Sequence, residues 1–374
     1  MKILIAAAGT GGHINPGIAI ANKIKEKNPN AEIVFVGTNR GLENDLVPRA
    51  GYKLEKIEVY GFSKQISLDN MKKIIKTIKG FSQAKKLIKE FKPDIVIGTG
   101  GYICGPIGMA AAESKIPTVL HESNAFPGKT IKILSKKVDK ILLGFEDAKK
   151  RLPKAKKLIV TGTPTKFTGL ELSEEEIINK KKELGFNSEL PLVLVFGGSQ
   201  GAKVINETII NIIKEKLNLN YQILWASGPK QYDIIKEELE DQKININNIK
   251  NVKIFPYIYN MEEVMKISDL VVCRSGAMTI TEIAISKKPA IFIPLSTAAE
   301  NHQEYNANVL VNINSARILH DNELNEKTLN NMINELISNR DDLKKMGENA
   351  EKIVTKNVED KIYSELEEYI KKVQ

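Results

Sequence analysis

Cysteine is nearly absent from this chain of 374 residues: Cys104 and Cys273 are the only two, and they form no CxxC pair. That excludes a disulfide framework or a thiolate metal knuckle and fits a reducing compartment. Histidine is scarce as well, with four in the chain, and no DxD or His/Cys cluster occurs. No metal and no cofactor are therefore expected. No apolar run approaches the ~20 residues that a membrane span needs. The start, MKILIAAAGTGGH, carries a single lysine and reaches a glycine turn within nine residues. It reads as a first strand and not as a signal peptide. Aromatic residues make up only 6% and are not interleaved with the basic stretches, which argues against nucleic acid as a partner.

Charge is present but unevenly spread. The net charge of +9 divides into +15 over residues 1–160, with 29 lysines and arginines against 14 acids, and −6 over the remainder. The basic half favours an anionic surface or a phosphorylated ligand. The length suggests two domains, and 42% apolar residues suffice for two cores.

The pattern repeats at domain scale. Residues 2–8 read as a strand, followed by Gly9-Thr10-Gly11-Gly12-His13 and a helix with Pro16 near its start. Further strands are expected at Ala31–Gly37, Ile57–Val59, Pro93–Gly98, Pro117–Leu120 and Lys140–Leu143, with a basic helix over about Leu68–Phe91. After a charged helix at Ser173–Leu184 the plan restarts: strand Leu192–Phe196, the loop Gly197-Gly198-Ser199-Gln200-Gly201, and a helix over Ala202–Ile213. Strands follow at Tyr221–Ala226, Val252–Phe255, Leu270–Val272 and Ala290–Ile293, and Asp321–Gln374 reads as charged helices. Strands alternating with helices indicate doubly wound parallel sheets, whose ligands bind beyond the carboxyl ends of the strands.

The stretch Ser268–Ala284 is the most informative. A buried strand turns through Ser275-Gly276 into a helix, so free N–H groups and the helix dipole make an anion site. Glu282, more than a turn further on, can accept hydrogen bonds from two neighbouring hydroxyls, as a ribose diol would offer. The first glycine loop fails the dinucleotide fingerprint, because Ile14 stands at the sixth position. Ser123–Thr130 fails the P-loop pattern, because Ser123 replaces its first glycine.

Six motifs in order, GTGGHINPG, GTGGYICGP, HESNAFPGK, FGGSQGA, VVCRSGAMTITEIA and ENHQEYNA, resemble those of the MurG family of bacterial glycosyltransferases. The resemblance runs from Lys2 to about Val311. It implies an α/β GT-B fold, two Rossmann-like doubly wound parallel-sheet domains facing a cleft. The expected divisions are 1–163 for an acceptor- and membrane-facing domain and 164–345 for a UDP-GlcNAc-binding domain. The remaining helix, 346–374, is expected to pack back on the first domain. The resemblance further implies inverting transfer of GlcNAc from UDP-GlcNAc to the C4 hydroxyl of MurNAc in undecaprenyl-linked lipid I, giving lipid II for peptidoglycan. The enzyme would act peripherally at the cytoplasmic face of the cell membrane.

Carried over position by position, the resemblance implies that Thr10, Gly11 and Gly12 line the donor site from the first domain and that Asn124 touches the sugar. Ser199 would meet the diphosphate, and the Ile258 backbone would hold the uracil. Ala277, Met278, Thr279, Ile280, Thr281 and Glu282 would surround the phosphates and ribose. Gln303 would read the GlcNAc hydroxyls, with Asn306 nearby. Lys166 stands where many relatives carry arginine, keeping the charge without the bidentate fork.

His13 is the candidate base, since an imidazole titrates near working pH; the alternative is that it only positions the loop or contacts phosphate. His121-Glu122 lies at the same strand edge and is a second candidate for contact with the acceptor. A UDP-GlcNAc 2-epimerase of the same fold is the rival enzyme, but it would need more acids and bases than these loops carry. Finally, Met71, Ile74, Ile75 and Ile78 form a helical stripe that Leu68 and Phe81 extend, flanked by Lys72, Lys73, Lys76 and Lys79. Such a helix can lie on an anionic membrane surface or cover a sheet.

Overall fold

The computed structural model describes residues 1–59, 68–218, 220–245 and 249–370, and for 68–78 the backbone alone. The chain forms two compact units, Met1–Lys166 with Thr355–Gln374, and Phe167–Val354.

The first unit opens with β1 (Lys2–Ala7), α1 (Gly11–Lys27), β2 (Glu32–Gly37), α2 (Glu43–Arg49) and β3 (Lys53–Lys56). It continues through α3 (Leu68–Phe91), β4 (Ile95–Gly100), α4 (Cys104–Glu113) and β5 (Thr118–Glu122). Then come α5 (Lys129–Leu134), β6 (Lys140–Leu143) and β7 (Leu158–Val160). The seven strands are all parallel, in the order β3-β2-β1-β4-β5-β6-β7. Near-continuous apolar runs such as Ile3-Leu4-Ile5, buried on both faces, are what a helix-covered parallel sheet requires.

The second unit begins with α6 (Glu174–Glu183), β8 (Leu192–Phe196), α7 (Lys203–Lys214), β9 (Gln222–Ala226) and α8 (Pro229–Asp241). Next are β10 (Val252–Phe255), α9 (Met261–Ile267), β11 (Leu270–Cys273), α10 (Ala277–Ser286) and β12 (Ala290–Phe292). It ends with α11 (His302–Val311), β13 (Ala316–Ile318), α12 (Glu326–Ser338) and α13 (Arg340–Ala350). Its six parallel strands run β10-β9-β8-β11-β12-β13. In both sheets the order therefore reverses beside the first strand, at β1/β4 and at β8/β11. That reversal opens a crevice at the carboxyl edge of the strands.

The last helix, α14 (Val358–Ile370), belongs to the first unit. Ile362, Leu366 and Ile370 join the core formed with Ile3, Ile20 and Ile24. Lys140, almost fully buried, donates to the Glu365 carbonyl at 2.6 Å and pairs with the Glu365 and Glu368 carboxylates at 2.7 and 2.6 Å.

Three details depart from the sequence pattern. Ile57–Val59 is no strand: β2 ends at Gly37, so after Lys56 the ladder has no further partner. Helix α1 begins at Gly11, because the Thr10 carbonyl already accepts from His13 and Ile14, and Pro16 thus lies inside it. The three-residue strands β7 and β13 carry no periodicity that could announce them. In α3, the half beyond Gly80 covers the sheet, with Ala84 and Ile88 buried and Phe81 packed on the same core. The side chains of Met71, Ile74, Ile75 and Ile78 lie outside the described residues.

Candidate functional site

Every strand that leads into a site loop ends at the carboxyl edge. In the first unit this edge carries Thr10, Gly11, Gly12 and His13 after β1, and Asn124 after β5. Thr10 adopts an extended conformation before α1, and no side chain caps the helix start. The Gly11 and Gly12 amides are thereby available to an anion. By contrast, Ser173, Asn325 and Asn339 cap α6, α12 and α13 with their side chains.

His13 is half-buried and anchored on three sides. Its backbone carbonyl accepts from the buried Thr99 hydroxyl at 2.7 Å. Its ring lies so close over Gly100 that a Cβ at that position would collide with it. Its Nδ1 lies 3.1 Å from the Ala8 carbonyl oxygen. A carbonyl only accepts, so Nδ1 carries the hydrogen, and in the neutral form of the ring the lone pair is then at Nε2. That tautomer is the one a general base requires.

Asn124 is held by its neighbour. Glu122 Oε1 accepts from both the Asn124 backbone and side-chain nitrogens at 2.9 Å, and Oε2 accepts from the Gly128 amide at 2.9 Å. His121 proves to be internal: it is 1% exposed and donates from Nε2 to the Gly162 carbonyl at 3.0 Å. Its Nδ1 faces the Ser123 hydroxyl at 3.3 Å. Burial pushes its pKa down to about 4, against the raising effect of the Gly162 carbonyl. It is a neutral strut and offers the acceptor nothing. Lys166 is exposed at the end of the first unit's N-terminal segment.

In the second unit Ser199 is exposed in the loop after β8. Buried Asn206 braces that region, donating to the Ser227 carbonyl at 2.9 Å and accepting from the Trp225 indole at 3.0 Å. Helix α10 again starts without a side-chain cap, after an extended Gly276. The first-turn amides of Ala277, Met278 and Thr279 and the dipole face the crevice between β8 and β11. Thr281 and Glu282 are partly exposed on α10, whereas Ile280 faces the core. Ile258 is buried beyond β10, so its backbone is what it can offer a ligand.

The loops after β11, β12 and β13 are tied together by groups the sequence pattern did not single out. Arg274 donates to Asp321 at 2.6 Å and to the Ile293 carbonyl at 2.9 Å. The other Asp321 oxygen accepts from the Ser296 amide and hydroxyl at 3.2 and 3.0 Å. Burial alone would raise the Asp321 pKa, but the Arg274 and Ser296 hydrogen bonds hold it below the usual range. Gln303 accepts from the Leu295 amide at 3.0 Å, and its carbonyl takes the Ser275 hydroxyl at 2.8 Å. Asn306 is fully buried and donates to the Ser275 carbonyl at 3.2 Å, so its amide supports this loop from below.

Among the described residues no group of three or more His, Cys, Asp or Glu is placed to hold a metal ion. None of their helices is long and apolar enough to cross a membrane.

Comparison with known proteins agrees with this architecture. Residues 3–143 match the glycosyltransferase family 28 N-terminal domain, and residues 192–362 match its C-terminal domain. The chain is 44% identical over 363 residues to a Thermoanaerobacter protein, the alignment covering 97% of this chain and 98% of that one. That relative is named UDP-N-acetylglucosamine–N-acetylmuramyl-(pentapeptide) pyrophosphoryl-undecaprenol N-acetylglucosamine transferase. The crystal structure of Acinetobacter baumannii MurG superposes with a TM-score of 0.78 at 26% identity, covering 98% of this chain and 99% of that one. A Neisseria meningitidis UDP-GlcNAc 2-epimerase structure shares the fold, with a TM-score of 0.63 at 16% identity over 98% of this chain and all of that one.

Proposed function

The chain belongs to glycosyltransferase family 28, and on that premise we propose that it moves N-acetylglucosamine from UDP-GlcNAc to an undecaprenyl-pyrophosphoryl-MurNAc-pentapeptide, forming lipid II. The observation that carries this reading is the uncapped start of α10 beside the glycine loop of β8, with Glu282 further along the helix. A diphosphate fits the amides, and a ribose diol fits the carboxylate. The Ile258 backbone would hold the uracil and Gln303 the GlcNAc hydroxyls. Ser199, Met278 and Thr279 would line the phosphates, and Thr10, Gly11, Gly12 and Asn124 would complete the donor and acceptor contacts.

In the reaction the MurNAc C4 oxygen attacks the anomeric carbon of GlcNAc, the bond to the UDP oxygen breaks, and configuration inverts. His13 Nε2 takes the C4 hydroxyl proton as the new bond forms. Negative charge growing on the departing diphosphate meets fixed amide dipoles that need no reorganisation. Lys166, where many relatives carry arginine, keeps a positive charge for the substrate without the bidentate fork.

Because the acceptor is lipid-linked, the enzyme works on the anionic cytoplasmic surface of the membrane, with the basic helix α3 and its unit toward the lipid. The assay is UDP release from UDP-GlcNAc with and without a lipid I analogue. Release that depends on the acceptor supports transfer, whereas acceptor-independent UDP and ManNAc would mean an epimerase. His13→Ala should then lower kcat by roughly 10²–10⁴-fold with donor binding retained. Unchanged kcat with weakened UDP binding would make His13 a phosphate contact instead.

A further inference from the structure

Glu43, the first residue of α2, is completely buried, yet it lies on no strand edge and in none of the site loops. Its Oε1 accepts from the Thr38 amide at 2.9 Å and the Thr38 hydroxyl at 2.8 Å. Its Oε2 accepts from the Gly9 amide at 2.9 Å. Burial would raise its pKa, but these hydrogen bonds outweigh it and hold the group below the usual carboxylate range. It is therefore an anion. The chain makes room for it: a Cβ on Gly41 would collide with the carboxylate, and one on Gly37 would lie 2.6 Å from its Cγ.

The Gly9 amide and the Ala8 carbonyl belong to one peptide unit, and no peptide among the described residues is cis. In a trans peptide the N–H and C=O point in opposite directions. One end donates to Glu43 and the other accepts from His13 Nδ1. The Leu42 amide, next to Glu43, also donates to the Gly9 carbonyl at 3.3 Å, fixing the loop at its φ of +97°. A carboxylate drawing on the N–H end makes the carbonyl a stronger acceptor, because hydrogen bonds in a chain polarise one another.

We propose that Glu43 is a positioning residue for His13, holding and polarising the imidazole through the Ala8–Gly9 peptide. This rests on the reading of His13 as the base. It gives the buried anion the part that a directly bonded carboxylate plays in other base dyads, with a peptide interposed. The relay keeps the hydrogen on Nδ1 and favours the imidazolium that forms when Nε2 takes a proton.

The other titratable groups on the surrounding elements have partners of their own or, like Tyr102, stand exposed to solvent. Glu122 is taken up by the Asn124 and Gly128 amides, and Arg40 donates to the Val59 carbonyl at 2.7 Å. The Cys104 thiol is buried and donates to the Ala6 and Gly100 carbonyls. Tyr102 follows two residues after Gly100, and Lys23 lies at the far end of α1, paired with Asp360.

The test uses the intact chain and follows the His13 ring by NMR titration, with His13→Ala identifying its signals. Glu43→Gln keeps the shape and removes the charge. The His13 pKa should fall by about half a unit, toward the small end of what a neighbouring charge does. The acid limb of the kcat profile should move down with it. The plateau kcat should drop about tenfold, a part of what a positioned base supplies, with little change in donor KM. Thr38→Val keeps the charge and removes a competing donor, so it should move the His13 titration upward. A folded Glu43→Gln protein whose His13 titration and acid limb match the parent's overturns the proposal. So does a Thr38→Val shift of zero or of downward sign, which decides the matter alone if Glu43→Gln does not fold. If His13→Ala keeps its kcat while Glu43→Gln still moves the His13 titration, the relay stands and the base reading falls.

Discussion

Two buried side chains of the first unit illustrate how differently a residue can use its protonation state. Glu43 is kept charged by three donors, while His121 is kept neutral by burial. For His121 the unfolded ring takes up a proton near the ordinary value of 6.5 and the folded ring only near 4. Between those values the unfolded state binds more protons, so stability falls as pH drops through that window, by roughly 3 kcal/mol in all. Thermal melts from pH 7 to pH 4 should show this loss in the parent and a smaller one in His121→Asn. Equal pH slopes would mean another group is responsible. Glu282 belongs to the same scale. Glu282→Ala should raise the KM for UDP-GlcNAc through the loss of two charge-assisted bonds, worth roughly 1.5–3 kcal/mol each. Acceptor KM should hardly move, and an unchanged donor KM in a folded variant removes Glu282 from the ribose.

Elements set the next level. Helix α14 is the last part of the chain, yet it completes the core of the first unit, next to α1. Its sequence is amphipathic because Ile362, Leu366 and Ile370 recur at helical spacing, which buries one stripe. Ile362→Ala should therefore destabilise by about 2–5 kcal/mol, as truncation of a fully buried aliphatic does. Lys140→Ala should cost about 1–2 kcal/mol, since it removes the buried Lys140 stem and its bonds to Glu365, while both acids keep solvent and Lys157 beside them. Denaturation followed by a probe in each unit checks both. The loss should fall on the unit holding residues 1–166, and a loss confined to residues 167–354 would contradict the assignment.

Charge organises the whole molecule. The excess of +15 lies on residues 1–160, while the rest is net acidic. Each lysine near an anionic leaflet contributes about 1 kcal/mol. Changing Lys72, Lys73, Lys76 and Lys79 to Gln should weaken co-sedimentation with anionic vesicles and flatten its salt dependence. Activity on a water-soluble acceptor analogue should persist. Equal binding by variant and parent would assign α3 to the sheet alone and leave the membrane face to another part of this unit.

Local pattern was enough for much of this protein. Apolar runs ending in glycine mark β1, β4, β8 and β11 because a parallel strand is buried on both faces and its loop must turn sharply at the ligand edge. Four of the six motifs that carry the resemblance sit on those loops and the other two follow β5 and β12, so the candidate residues could be named one by one. Where a signal depends on distant neighbours it was not. Short β7 and β13 form because β6 and β12 lie beside them to be paired, and Ile57–Val59 fails as a strand because β2 stops. Glu43, Arg274 and Asp321 look like solvated charges in the sequence, and only the packing shows which amides and cations they hold. His13 was readable as a candidate base from its glycine loop. Its tautomer was decided by the Ala8 carbonyl facing Nδ1, a matter of hydrogen-bond direction that no sequence pattern encodes.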